Sequence, residues 1–268
     1  MAMKVLALVK FVPESTATIK VKPDGSGIET AGVKFVMNPF CEFAVEEALR
    51  IREKNPSAGV EVTALTLGPA AAAEAIRTAY AMGVDHGIHI TDEGLDGVDE
   101  LTTARIIAAA IKPRGFDLVL AGKHAIDYDS GQLGPALAEH LAWPHVGAVV
   151  AIEWAADLKS ATVRRRIEGA EEVVQIRLPC LLTAEKGLNE ARYPSLPGLM
   201  KAKKRPIETL NLAACGVSKS DVSPEACSTR MARFSPPPPR PPGRMLSGTP
   251  EEMAVELVRI LREEEKLI

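Results

Sequence analysis

The sequence predicts an α/β protein: an open, twisted parallel sheet with antiparallel hairpins along one edge and an extended C-terminal arm ending in a helix. Three observations carry that prediction. Through residue 141, short apolar runs alternate with stretches of helical period, and such alternation implies right-handed crossovers and a parallel sheet covered by helices on both faces. Between residues 146 and 178 the pattern shortens to strands separated by turn residues. After residue 206 sustained periodicity is lost, and a proline-rich run precedes one last amphipathic stretch. The expected division is an α/β domain over 1–206 and an arm with its terminal helix over 207–268.

Lys4 to Val9 is a short apolar run suited to a strand buried on both faces. Asn38-Pro39 opens a helix, with Asn as the cap, Pro in the first turn, and Cys41, Val45, Ala48 and Leu49 on one face. Val60 to Leu67 reads as a second buried strand. Gly68-Pro69 turns the chain into an alanine-rich helix from Ala70 to Met82, which Gly83 ends as a C-cap. His86 to Thr91 is a third strand, and Asp99 caps a helix that stops at Pro113. Asp117 to Gly122 is the fourth strand, followed by a helix carrying Leu133, Leu137, Ala138 and Leu141. Val146 to Trp154, Thr162 to Glu168 and Glu172 to Leu178 read as edge hairpins, and Cys180 to Ala184 as a return to the main sheet.

The run Ser235-Pro236-Pro237-Pro238-Pro239-Arg240-Pro241-Pro242-Gly243 favours extended polyproline II backbone and cannot join a central sheet. Thr249 and Glu252 then stand at capping-box spacing, and Met253, Leu257, Ile260 and Leu261 line one face of the helix that follows. A helix tethered by an extended arm needs a surface, on its own domain or on another chain.

Composition excludes several classes of function. Lysine and arginine number 32 against 35 acidic residues, so no basic surplus exists to neutralise nucleic-acid phosphates. The N-terminal apolar run is too short for a signal peptide, and no stretch approaches the roughly 20 apolar residues of a membrane span. A cytoplasmic location is expected. Cys41, Cys180, Cys215 and Cys227 are scattered without a CxxC pair, which argues against a metal site or a redox dithiol and for buried thiols. Any electron-transfer chemistry would come from a bound organic cofactor.

In an open parallel sheet, ligands bind beyond the carboxyl ends of the strands, where strand order reverses. Four segments follow strands here: Lys10 to Glu14, Asn38 to Glu42, Thr66 to Pro69, and Gly122 to Gly134. The last is the richest, with turn formers, a hydroxyl and an amide just ahead of a helix. Free N–H groups at such a helix start attract phosphate. Ser130 and Gln132 can add side-chain hydrogen bonds, and Gly131 and Gly134 permit close approach of backbone. The spacing is neither GxGxxG nor GxxxxGK[ST]. Asp127 and Asp129 suit a role in fixing the loop or binding ribose hydroxyls better than a metal pair, and His124 has no visible partner as a general base.

At these segments the chain closely resembles the beta subunit of electron transfer flavoproteins, over almost its whole length. The resemblance rests on Lys4-Val5-Leu6 through Pro13, on Asn38-Pro39-Phe40-Cys41-Glu42 with Ala44 to Ala48, and on Leu67-Gly68-Pro69 and Ala81-Met82-Gly83. It rests also on Gly122 through Gly134, and on Leu188 to Pro197 running into Met200-Lys201-Ala202-Lys203-Lys204. The chain departs from the pattern at His124, where glutamine is usual, and at Ala191, where proline is common. The resemblance implies a Rossmann-like, adenine-nucleotide-binding sheet and an alpha subunit that holds FAD and forms a heterodimer with this chain. It implies a nucleotide in this subunit surrounded by Leu8, Asn38, Pro39, Phe40, Cys41, Leu67, Gly122, Lys123, His124, Ala125, Ile126, Asp127, Asp129, Ser130, Gly131, Gln132, Leu133 and Gly134.

By the same resemblance that nucleotide is AMP in carriers passing electrons from acyl-CoA dehydrogenases toward a membrane quinone reductase. It is a second FAD in bifurcating forms, which take a hydride from NADH, so that NAD(H) becomes a substrate. Residues 225–268 look like the longer beta subunits of bifurcating and nitrogen-fixation-associated types, which favours FAD, and the arm is then expected to wrap onto the alpha subunit. The partner-recognition loop matches Leu188 to Met200, with Leu196 as apolar anchor and Tyr193, Pro197 and Met200 beside it. Lys201, Lys203, Lys204 and Arg205 could steer an acidic partner or form a solvated basic run. The competing reading is a stand-alone adenine-nucleotide sensor of similar fold.

Overall fold

The computed structural model describes residues 2–93, 95, 97–223, 225–240 and 242–268; Pro241, within the proline run, lies outside them. Among the described residues the main sheet has nine strands in the order β11-β5-β4-β1-β6-β10-β7-β8-β9. The strands are β1 (Lys4–Leu8), β4 (Glu61–Leu67), β5 (His86–Ile90), β6 (Leu118–Gly122), β7 (His145–Trp154), β8 (Ser160–Ile167), β9 (Ala170–Arg177), β10 (Cys180–Ala184) and β11 (Glu208–Leu210). Pairing is parallel from β11 through β7, whereas β7–β8 and β8–β9 are antiparallel. From β1 the chain moves outward to β4 and β5, then returns to place β6 on the other side of β1. That reversal opens a crevice at the carboxyl ends of β1 and β6.

The helices follow from which side chains must be covered. Along β1, Val5 and Ala7 face one core and Leu6 and Leu8 the other, all of them buried. A strand apolar on both faces requires helices on both sides of the sheet. Helices α1 (Pro39–Lys54) and α2 (Ala73–Met82) cover the first face through Val45, Leu49, Ile76 and Ala79. Helices α3 (Glu100–Ile111) and α4 (Leu133–Leu141) cover the second through Ile107, Ile111 and Leu137. Gly83 ends α2 with φ of 123°, and Asp99 caps α3 by accepting the Thr102 N–H at 2.8 Å. The edge hairpins and the return of the chain as β10, between β6 and β7, follow the order read from the sequence.

Three features differ from that reading. Asn38 precedes α1, but its side chain makes no capping bond to the helix backbone. A two-stranded antiparallel ribbon of β2 (Phe11–Pro13) and β3 (Phe35–Met37) joins β1 to α1. The division expected at residue 206 falls elsewhere: Glu208, Thr209 and Leu210 pair with Ile88, His89 and Ile90, and Leu212, Cys215, Val217 and Val222 are buried in the core under α3. The first compact unit therefore runs through Phe234, and the second is Ser235–Ile268. Strands of three residues are too short to display alternation, which is why neither ribbon nor β11 was visible as a period.

The second unit contains α6 (Pro250–Arg259), numbered after the short α5 (Leu196–Ala202) of the first. Both halves of its capping box form: Glu252 N–H donates to Thr249 Oγ1 at 3.3 Å and Thr249 N–H to Glu252 Oε2 at 2.9 Å. Within this unit Arg244 and Arg259 both pair with Glu256 and Glu264. Val255, Leu257 and Val258 of α6 are exposed.

Candidate functional site

Beyond the carboxyl ends of β1, β4 and β6 lies a cleft of about 600 Å³, a size that accepts ligands of nucleotide class. Its walls include Leu8, Leu65 and Leu67 from strand ends, Leu95 and Val98 ahead of α3, and Thr30, Val33 and Phe35 from the ribbon and its loop. These apolar walls suit the faces of a purine ring. The third side is the loop from Gly122 to Leu133.

A buried amide ties the loop to the start of α1. Asn38 is only 1% exposed. Its Nδ2 donates to the His124 carbonyl at 2.9 Å and to Cys41 Sγ at 3.3 Å, and its Oδ1 accepts the Ile126 N–H at 3.2 Å. Asparagine suits the position because it offers donors and an acceptor at once, which aspartate does not. Gly122 is required for a different reason: a Cβ there would lie 2.8 Å from Phe40 Cβ and 2.9 Å from the Phe40 carbonyl carbon. The end of β6 and the start of α1 thus touch backbone to backbone. Gly131 has φ of 64°, in the left-handed region that favours glycine.

Of the residues that the sequence singled out, Leu8, Asn38, Cys41, Leu67, Gly122, Lys123, His124, Ala125, Gly131 and Leu133 line this cleft. The others stand behind it or do something else. Phe40 packs edge-on against the His124 ring at 4.2 Å. Asp127 pairs with Lys10 at 2.8 Å, and Asp129 Oδ1 lies 3.0 Å from His124 Nδ1, so both aspartates fix the loop. Lys123 Nζ reaches Glu185 at 2.8 Å. Gly134 does not open backbone to a ligand; a Cβ there would meet Thr183 Cγ2 at 2.5 Å, so it lets α4 pack on β10. Ser130 and the Gln132 backbone N–H both donate to the Glu100 carboxylate. Lys10 and Tyr128, inside two of the segments marked from the sequence, also line the cleft; Glu100 lines it too and was missed by sequence reasoning, which has no signal for its contact with a loop some 30 residues later. Cys41, Cys180 and Cys215 are buried free thiols, Cys227 is half-buried, and burial pushes the Cys180 thiol up to about 12.

Residues 26–215 match the family model described as electron transfer flavoprotein domain. Electron transfer flavoprotein subunit beta of Bacillus subtilis (strain 168) is 39% identical over 250 residues, covering 93% of this chain and 94% of that protein. The human subunit beta is 43% identical over 217 residues, 80% of this chain and 84% of the relative. The chain belongs to the electron transfer flavoprotein beta-subunit family. The subunit beta of Sus scrofa aligns over 97% of both chains at 38% identity, so a chain of this length is shared with a relative.

A second feature of this beta-family chain is an exposed apolar patch after β10. Tyr193 is 96% exposed, Leu196 78% and Met200 74%, with Pro197 exposed beside them. Leu196 opens α5 rather than lying in a loop, and Ser195 caps that helix by accepting the Gly198 N–H at 3.1 Å. The base of the segment is fixed to α1. Arg192 donates to Glu46 at 2.7 Å and to Glu53 at 2.6 Å, while Asn189 Nδ2 donates to the Phe43 carbonyl and to Glu47. Arg205 of the basic run is half-buried: it lies 4.1 Å from the Tyr80 ring centroid and donates to the carbonyls of Val84 and Asp85. Among the described residues no helix is long and apolar enough to cross a membrane.

Burial opposes ionisation of Glu46, but hydrogen bonds from Arg192 and Arg50 outweigh it and hold the carboxyl below its usual range. Glu53 is also lowered, first by its hydrogen bond to Arg192. A depressed folded pKa contributes stability that is present above the ordinary carboxylate range and is lost as pH falls through the lowered value. Glu46→Gln is therefore expected to destabilise the protein by about 1–3 kcal/mol near neutrality. The difference should shrink at acid pH, as the pH falls through the lowered value and the wild-type carboxylate itself becomes protonated. Urea denaturation of both proteins at the two pH values checks this, and a gap of equal size at both would contradict it.

Proposed function

We propose that this chain is the nucleotide-holding half of a heterodimeric electron carrier: its cleft binds an adenine nucleotide, AMP or FAD, and its Tyr193–Met200 segment docks redox partners. The observation that carries the reading is the cleft at the sheet's reversal point, closed by the 122–133 loop, in a chain of the beta-subunit family. The names of its relatives state that they are subunits of electron transfer flavoproteins. The proposed partner is therefore an alpha subunit. A flavin held there supplies the one- and two-electron chemistry.

The residues of this chain bind and orient. Leu8, Leu65 and Leu67 offer an apolar slot for the adenine, and Asn38 keeps the 122–133 loop in its binding shape. An occupant of AMP makes the chain a structural half of a carrier between acyl-CoA dehydrogenase-type donors and a quinone reductase. An occupant of FAD places a second redox centre here and extends the reading to bifurcation with NAD(H). The exposed patch is pre-organised by the Arg192 clamp and the Ser195 cap, which lowers the entropy lost on docking. An isolated sensor would have no use for such a patch.

Gly131→Val should lower the nucleotide content of the purified heterodimer, because a β-branched residue at φ of 64° costs about 1–3 kcal/mol or shifts the loop. Chromatography of acid-released nucleotides measures this, and unchanged content would remove Gly131 from the binding loop. Leu196→Ala should slow electron exchange with the donor dehydrogenase roughly tenfold or more, as loss of a central apolar anchor does, while leaving heterodimer yield and flavin content intact. Normal dehydrogenase turnover through the variant would refute the docking role.

A further inference from the structure

Two walls of the cleft are tied together from outside it. The ribbon wall continues past Phe35 and Val33 into a hairpin, in which Glu29 N–H donates to the Lys20 carbonyl at 2.8 Å and Lys22 N–H to the Gly27 carbonyl at 2.9 Å. At its tip Gly25 is buried, although Asp24 and Ser26 on either side are exposed. The chain at Arg233 and Phe234 covers it. Phe234 N–H donates to the Gly25 carbonyl at 2.9 Å, and a Cβ on Gly25, whose φ is 71°, would lie 3.0 Å from Arg233 Cγ. At the opposite wall, Asp99 divides its carboxylate between two tasks. Oδ1 caps α3 through the Thr102 N–H, and Oδ2 accepts the Thr229 N–H at 2.9 Å. Burial opposes ionisation of Asp99, but hydrogen bonds from Thr102, Thr229 and Ser228 outweigh it and hold the carboxyl below its usual range. The tether to Thr229 is therefore charge-assisted. Residues 230–233 between the two tethers are exposed. Among the described residues, the strap from Thr229 to Phe234 is hydrogen-bonded only at its two ends. Neither the strap, Asp99 nor Gly25 lines the cleft, whereas Val98 and Glu100 beside Asp99 do, as do Thr30, Val33 and Phe35.

We propose that the Thr229–Phe234 strap gates the cleft: it braces the hairpin wall against the start of α3, and a nucleotide enters or leaves when the strap releases one end. The inference rests on the reading of the cleft as a nucleotide site. A ring held between the ribbon wall and the α3 wall leaves by parting them. A brace that touches the walls and not the ligand stabilises the closed form equally with the cleft empty or filled. Weakening it opens the cleft more often in both states, so entry and exit quicken together and affinity is conserved. Damage to the lining acts differently, since it speeds exit and weakens binding.

The test uses the heterodimer stripped of its cleft nucleotide. Association and dissociation rates are measured for radiolabelled AMP by rapid filtration and for FAD by its fluorescence, and the nucleotide that binds is the one compared. Asp99→Asn keeps an oxygen to cap α3 but places an amide N–H where Thr229 needs an acceptor. Gly25→Ala disturbs the other end of the strap, far from Asp99 in the chain. Each variant should raise both rates about tenfold, the size expected when one such hydrogen bond is lost. The Kd should stay within about twofold of wild type, because the two rates change together. Unchanged rates in Asp99→Asn, or faster release without faster entry, overturns the gate. An effect from one end of the strap and none from the other overturns it as well. Binding of neither AMP nor FAD to any of the proteins would overturn the cleft reading itself and this inference with it.

Discussion

The arrangement depends on the buried amide of Asn38. It stands where the β2–β3 ribbon turns into α1, and it joins that turn to the loop after β6 through the His124 carbonyl and the Ile126 N–H. With Gly122 allowing backbone contact with Phe40, the amide fixes two walls of the cleft relative to each other. A buried amide left unbonded costs about 1–3 kcal/mol, so the loop and the start of α1 favour one arrangement strongly. The same helix carries Glu46, Glu47 and Glu53, which hold the segment ahead of α5. One helix thus borders the cleft at its start and supports the exposed apolar patch further along.

Electrostatics within the cleft is almost self-balanced. Each basic side chain on its wall already faces a carboxylate, and the start of α4 is occupied by Glu100. Such a site orders its loop before any ligand arrives. In the proposed nucleotide reading, the purine and ribose against the apolar walls would supply much of the binding energy.

Much of the fold was legible because its signals are long or chemically explicit. Strands apolar on both faces, such as β1 and β6, imply helices on both sides, and the turn residues between β7, β8 and β9 mark edge hairpins. The ribbon and β11 were not legible, since three residues carry no period. At the site, turn formers ahead of α4 pointed to the 122–134 loop. Their individual roles were not readable from spacing. Ser130 and Gln132 bond a carboxylate some 30 residues earlier in the chain, and Gly134 serves packing. Asn38 looked like a helix cap because its local context is that of one, but a tertiary partner 86 residues away took its side chain. The exposed Leu196 became meaningful only beside Tyr193 and Met200 on a clamped base.

The cleft between Leu67 and the 122–133 loop is proposed to hold an adenine nucleotide in a heterodimer with a flavin-bearing subunit. The most direct measurement is the count of flavin and adenine nucleotides released by acid from the purified heterodimer. One adenine nucleotide per heterodimer is expected beyond the flavin of the alpha subunit: AMP, or a second FAD. A heterodimer that carries one FAD and no other adenine nucleotide would contradict it.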